Sequence, residues 1–84
     1  MYHLIPDRVA LDQISALSAE ALPLLADVFT VLQLVPERGH HYKEELPTGP
    51  MRQLVFGPTG NGIVTYLILE DQREVHILLV QWLG

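Results

Sequence analysis

The sequence predicts a single α+β domain over residues 1–84, with two helices placed ahead of three strands. Two observations carry this. Apolar residues recur at helical spacing through the first part of the chain, and from residue 51 onward they fall into short β-like runs separated by turn residues. Helices first and strands after is the order of an α+β domain. A length of 84 residues suits one domain, and no internal repeat, low-complexity tract or linker divides it.

Each element has its own signal. Residues 2–5 read as a short first strand, closed by Pro6. Asp7 then caps a helix in which Val9, Ala10, Ile14 and Leu17 share a face. Ser18 offers a second cap, and the stripe Leu22, Leu25, Val28, Phe29 and Leu32 predicts a second helix reaching Leu34. Pro23 has no amide to donate, so that helix either starts near it or is kinked there. Val35-Pro36 ends it. Residues 36–50 form a polar loop holding Arg38, His40, His41, Tyr42, Lys43, Glu44 and Glu45. Strands follow at residues 51–56, 63–69 and 74–83, joined by a glycine-rich turn at 57–62 and an acidic turn at 70–73. Connections this short predict an antiparallel meander.

Side chains alternate between the two faces of a strand. Val75, Ile77 and Leu79 are therefore expected on one face of the last strand, with His76, Leu78, Val80 and Trp82 on the other. In the strand before it, Val64, Tyr66 and Ile68 oppose Ile63, Thr65, Leu67 and Leu69. Both faces are apolar, and two helices from so short a chain cover one of them. The other is expected to be a partner surface, assigned to Val64, Leu78, Val80 and Trp82. The composition points the same way, with 49% hydrophobic and 18% charged residues. A homodimer is one form such a surface could take.

Composition also excludes function classes. The formal net charge is −5, and the cations are Arg8, Arg38, Lys43, Arg52 and Arg73. That balance disfavours a general nucleic-acid binder and leaves room for a local basic patch. The absence of cysteine removes disulfides and thiol nucleophiles and suits an intracellular protein. Residues 1–7 lack the pattern of a signal peptide, and the apolar runs are too short to span a bilayer. The expectation is a soluble cytoplasmic protein with no membrane association. Ser15 and Ser18 lie in helix or cap positions, and the turn at 57–62 lacks the lysine of a phosphate-cradling loop. His40, His41 and Glu44 match no strong zinc-ligand spacing, so no metal or cofactor is expected. His76, beside Trp82 on an apolar face, reads as a core or interface histidine, and Tyr66 as a core tyrosine whose hydroxyl finds a partner at the edge.

The runs PMRQLVFG at 50–57, GIVTYLI at 62–68 and VHILLV at 75–80, after a helix pair ending in Leu32 to Pro36, resemble the RelE/ParE toxin superfamily of bacterial toxin–antitoxin systems. The resemblance follows nearly the whole chain in order and spacing. It implies an N-terminal strand, a two-helix hairpin and a three-stranded antiparallel meander. It also implies a type II toxin, a ribosome-dependent mRNA endonuclease of RelE type, neutralised by a cognate antitoxin and acting on mRNA at the ribosome. Cleavage of that kind resembles in-line attack by the ribose 2′-hydroxyl, which needs a base, an acid and a cation. By position, Arg52 corresponds to the family's first sheet arginine and is the candidate phosphate-stabilising cation. His40 or His41 is the candidate acid or base, Lys43 a supporting RNA contact, and Tyr66 the residue that shapes the pocket. The sequence departs from the pattern at Ile63, where the family's second arginine is usual, and at its acidic charge balance. Those departures favour an alternative, a non-catalytic interaction module on the same fold that pairs with itself or another protein.

Overall fold

The fold was established from a computed structural model, which describes residues 1–41 and 50–83. The elements run β1 (His3–Pro6), α1 (Arg8–Ser15), α2 (Ala21–Leu34), a short 3-10 turn (Pro36–Arg38), β2 (His40–His41), β3 (Met51–Phe56), β4 (Gly62–Leu69) and β5 (Glu74–Trp82). This is an α+β fold with a strand, two helices and then a meander, as expected. Strand β2 and the 3-10 turn are additions within the stretch read as a polar loop.

Helix α1 begins where Asp7 accepts the Arg8 amide at 2.8 Å. It stops at Ser15, and residues 16 and 17 continue as a tightened turn, with the Leu17 amide on the Ile14 carbonyl at 3.1 Å. Ser18 caps the entry to α2, its hydroxyl accepting the Ala21 amide at 3.3 Å. Pro23 falls in the first turn of α2, where a missing amide removes no internal bond. The buried stripe of α2 is Ala21, Leu25, Val28 and Leu32, while Leu22 turns to solvent.

The sheet order is β1-β5-β4-β3-β2. The meander β3-β4-β5 is antiparallel, and β1 joins its far side parallel to β5. Both helices pack against one face. Leu25, Val28 and Leu32 meet Val64, Tyr66, Ile68, Val75, Ile77 and Val80 in one core cluster, with Ala10 and Tyr2 completing it. Tyr2 reaches out of this core to Glu70, its hydroxyl 2.8 Å from the carboxylate, and Arg73 stacks on its ring. That carboxylate contact is the main cause that pushes the Tyr2 phenol above its ordinary value.

One irregularity corrects the expected faces. Thr65 pairs with Leu79 and Tyr66 with Ile77, so Leu78 is an extra residue in β5. Such a bulge shifts the alternation by one. Val75 and Ile77 face the helices, and beyond the bulge Val80 and Trp82 do so too. Val80 is 3% exposed and Val64 fully buried, so these two are core residues and not the partner surface assigned to them. Trp82 packs at the margin of the core and stacks on Phe56, with ring centroids 5.7 Å apart. Leu78 is half-buried at the bulge itself. No helix lies on the sheet's other face among the described residues. That face carries Ile5, Val55, Ile63, Leu67 and Leu79, of which Val55 is 51% exposed.

Candidate functional site

The ladder decides which side of the sheet each chemical group occupies, because directly opposed residues on antiparallel strands share a face. Arg52 lies opposite Tyr66 and Leu54 opposite Val64, so Arg52 points to the helix side. His40 lies opposite Gln53, Gln53 opposite Thr65, and Thr65 opposite Leu79, which places His40 on the open side. Arg52 and His40, two of the groups that the sequence joins in one site, are therefore on opposite faces. Strand β2 pairs the His41 backbone with Arg52. Lys43 lies outside the described residues.

Arg52 is committed to the backbone. Its Nη1 donates to the Glu37 carbonyl at 3.2 Å and the Gly39 carbonyl at 3.0 Å. Its Nε is buried without a partner among the described residues. Beside it, the Tyr66 hydroxyl accepts the Gly39 amide at 3.0 Å and donates to the Pro36 carbonyl. Burial pushes the Tyr66 phenol above its ordinary 10.0, while the Gly39 amide and the Arg52 charge pull it back. A side chain at Gly39 would run into the Tyr66 hydroxyl, and its Cβ would come 2.8 Å from the Gln53 carbonyl. Arg52, Tyr66 and Gly39 thus form a latch that pins residues 36–39 to the sheet and fixes where His40 begins β2. Arg52 acts here as a positioning residue, and Tyr66 shapes this corner from inside the core.

On the open face, Gln53 donates its Nε2 to the Thr65 hydroxyl at 3.1 Å. His76 Nε2 and Glu74 Oε1 stand 3.0 Å apart, both about one-third exposed. A carboxylate at that distance fixes the tautomer and orientation of an imidazole. The pair was not singled out from sequence, although the i, i+2 spacing of Glu74 and His76 on one strand face was visible there. The strand positions described on this face hold no Lys or Arg. Among the described residues no group of three or more His, Asp or Glu side chains could hold a metal ion, and no helix is long and apolar enough to cross a membrane.

Two grooves flank the sheet. One, of about 330 Å³, lies between α2 and β3 and is lined by Leu24, Val28, Leu54 and Phe56 with Asp27 and Arg38 at its rim. The other, of about 590 Å³, lies between the α1–α2 corner and the end of β5.

No family model matches the sequence, and no curated protein matches it. Solved structures do match. The toxin–antitoxin complex RelBE of E. coli contains a chain similar over 100% of this one and 99% of its own length, at 15% identity and a TM-score of 0.80. The isolated E. coli RelE toxin gives 14% identity and a TM-score of 0.81, covering 100% of this chain and 86% of that one. A chain of the chromosomal ParDE system of P. aeruginosa gives 18% identity and a TM-score of 0.71 over 100% and 98% of the two chains. The resemblance seen in the strand runs is matched by the path of the whole backbone, and the structural neighbours of this chain are RelE/ParE toxins, whose fold it has.

Proposed function

We infer that this chain is the toxin component of a type II toxin–antitoxin system, held in the cytoplasm by a cognate antitoxin and acting as a RelE-type endonuclease on mRNA at the ribosome. The observation that carries this reading is the superposition of the entire chain on RelE taken from its complex with an antitoxin. In-line cleavage needs groups that move protons next to a cation. In this reading His40, presented on the open face by the Arg52–Tyr66 latch, moves a proton, and Arg52 serves by holding it there. Lys43 is the RNA contact of this reading, and His41, whose position lies opposite Arg52, is the alternative acid or base.

A second reading, a non-catalytic interaction module, is favoured by the lack of Lys or Arg at the described strand positions of the open face. Phosphate recognition leans on such cations. Induced expression of the chain alone in a bacterium separates the two. The toxin reading expects rapid growth arrest with loss of translation. It also expects His40→Gln to relieve the arrest without changing thermal stability. Arg52→Lys keeps the charge but loses the paired carbonyl contacts, and is expected to weaken the arrest together with the fold around residues 36–39. Normal growth with abundant folded protein would establish the interaction module instead.

A further inference from the structure

We propose that Gln53 positions His40 by fixing its tautomer, and that His40 is thereby the base of the cleavage, a proposal that rests on the endonuclease reading above. Strand β3 lies between β2 and β4. Gln53 is paired across it with His40 on one side and with Thr65 on the other. Directly opposed residues stand close, with Cβ atoms about 5 Å apart. The neighbours of Gln53 on the same face of β3 are Met51 and Val55, so Gln53 is the one polar side chain that β3 sets beside the imidazole. His40 is exposed, Gln53 half-buried and Thr65 buried. The row therefore runs from solvent inward.

The buried end of the row decides the orientation of the rest. A hydroxyl shut off from water needs a partner, and Thr65 has the Gln53 amide nitrogen at 3.1 Å. A side-chain amide has one donating and one accepting end. With Nε2 on Thr65, the oxygen Oε1 has no protein partner among the described residues and is the end left to His40. An amide oxygen only accepts, so the ring nitrogen nearer to it carries the proton and the outer nitrogen is bare. A bare nitrogen takes a proton and has none to give. It removes the proton of the attacking ribose hydroxyl, whose oxygen forms the bond to phosphorus as the bond from phosphorus to the leaving oxygen breaks and that oxygen takes a proton from water. The imidazolium so formed keeps its inner N–H on Gln53. Arg52 and Tyr66 hold the backbone of residues 36–39, whereas Gln53 acts on the ring.

The test reads the ring itself. The full chain is labelled with 15N, and the ring nitrogens of His40 are observed by NMR at alkaline pH, where an imidazole is neutral. The expected tautomer ratio departs from that of free histidine by about fivefold, the effect of one net hydrogen bond. Gln53→Met, similar in length but without an acceptor, should return the ratio to that of free histidine and weaken growth arrest, with the thermal transition unchanged. Thr65→Val removes the anchor and leaves Gln53 in place, so it should move the ratio the same way and serves where Gln53→Met does not fold. Gln53→Glu is the conservative rescue. Its carboxylate can only accept, so it should keep the wild-type tautomer. Ring signals that are the same in wild type, Gln53→Met and Thr65→Val overturn the positioning role and leave the endonuclease reading standing. A reversal of the tautomer in Gln53→Glu means that the Gln53 amide donates to the ring, which overturns the assignment of His40 as base. A wild-type chain that shows the expected tautomer but does not arrest growth overturns the endonuclease reading and the base role with it, while the contact between Gln53 and the ring stands.

Discussion

Removing the Tyr66 hydroxyl leaves the Pro36 carbonyl and the Gly39 amide without the partner that now joins them. Tyr66→Phe is therefore expected to cost about 1–3 kcal/mol, read as a lower urea midpoint at unchanged slope. The pH dependence has a definite sign. A phenol held above its ordinary 10.0 by burial keeps its proton longer in the folded chain than in the unfolded one. Its contribution is complete below pH 10 and is lost as the pH rises through the folded value. The wild-type chain should lose stability in alkali more steeply than Tyr66→Phe does, in urea titrations repeated from pH 8 to 11. Gly39→Ala is expected to be at least as damaging, because its methyl meets the same hydroxyl; a wild-type melting curve for that variant would show the contact to be slack. Tyr66 was legible in the sequence as a core tyrosine with a tethered hydroxyl. Gly39 was not, since nothing in a loop glycine announces that a side chain from a distant strand will fill the space beside it. Arg52 was legible as important but not in its role, because a strand arginine looks the same whether it faces phosphate or its own backbone.

At the scale of the element, the bulge at Leu78 makes adjacent residues unequal. Leu79 is 36% exposed on the open face and Val80 is 3% exposed in the core. Leu79→Asp should fold with a thermal midpoint within a few degrees of wild type. Val80→Asp should fail to give a cooperative transition by far-UV circular dichroism, since a carboxylate buried without a partner costs several kcal/mol. Unbroken alternation would place both residues otherwise, and it did so when β5 was read from sequence alone. The bulge leaves no mark in the run VHILLV, where every residue at its position and after it is aliphatic. Gly62 shows the other kind of hidden constraint. A Cβ there would sit in the ring of Phe56, which lies flat over the strand and stacks on Trp82. Gly62→Ala should displace that ring and cost roughly 0.5–1.5 kcal/mol of stacking alone, measurable by the same urea titration. By contrast the helices were readable to within about a turn, because caps and apolar spacing are local, and Asp7, Ser18 and Pro23 each act within one turn of where they stand.

Across the molecule, the order of the elements was legible and the order of the strands was not. Hairpin turns announce that neighbours pair, and the meander β3-β4-β5 follows from them. The partnership of β1 with β5 depends on residues at opposite ends of the chain, such as Leu4 beside Val75, and no local signal encodes it. A fold closed by such distant pairing pays its loop entropy before the contacts form and folds slowly for its size. Stopped-flow refolding should accordingly give a main phase in milliseconds or slower rather than microseconds. The same pairing bears on how the protein is made. Synthesis runs from β1 to β5, so the first strand leaves the ribosome long before the strand it pairs with exists. A nascent chain holding everything up to β4 still lacks the strand that joins β1 to the rest of the sheet, along with the Ile77 carbonyl to which the Asp7 amide is bonded. The native fold is then completed only once β5 has left the ribosome tunnel, and a nascent chain stopped short of that strand cannot yet present either face of its sheet.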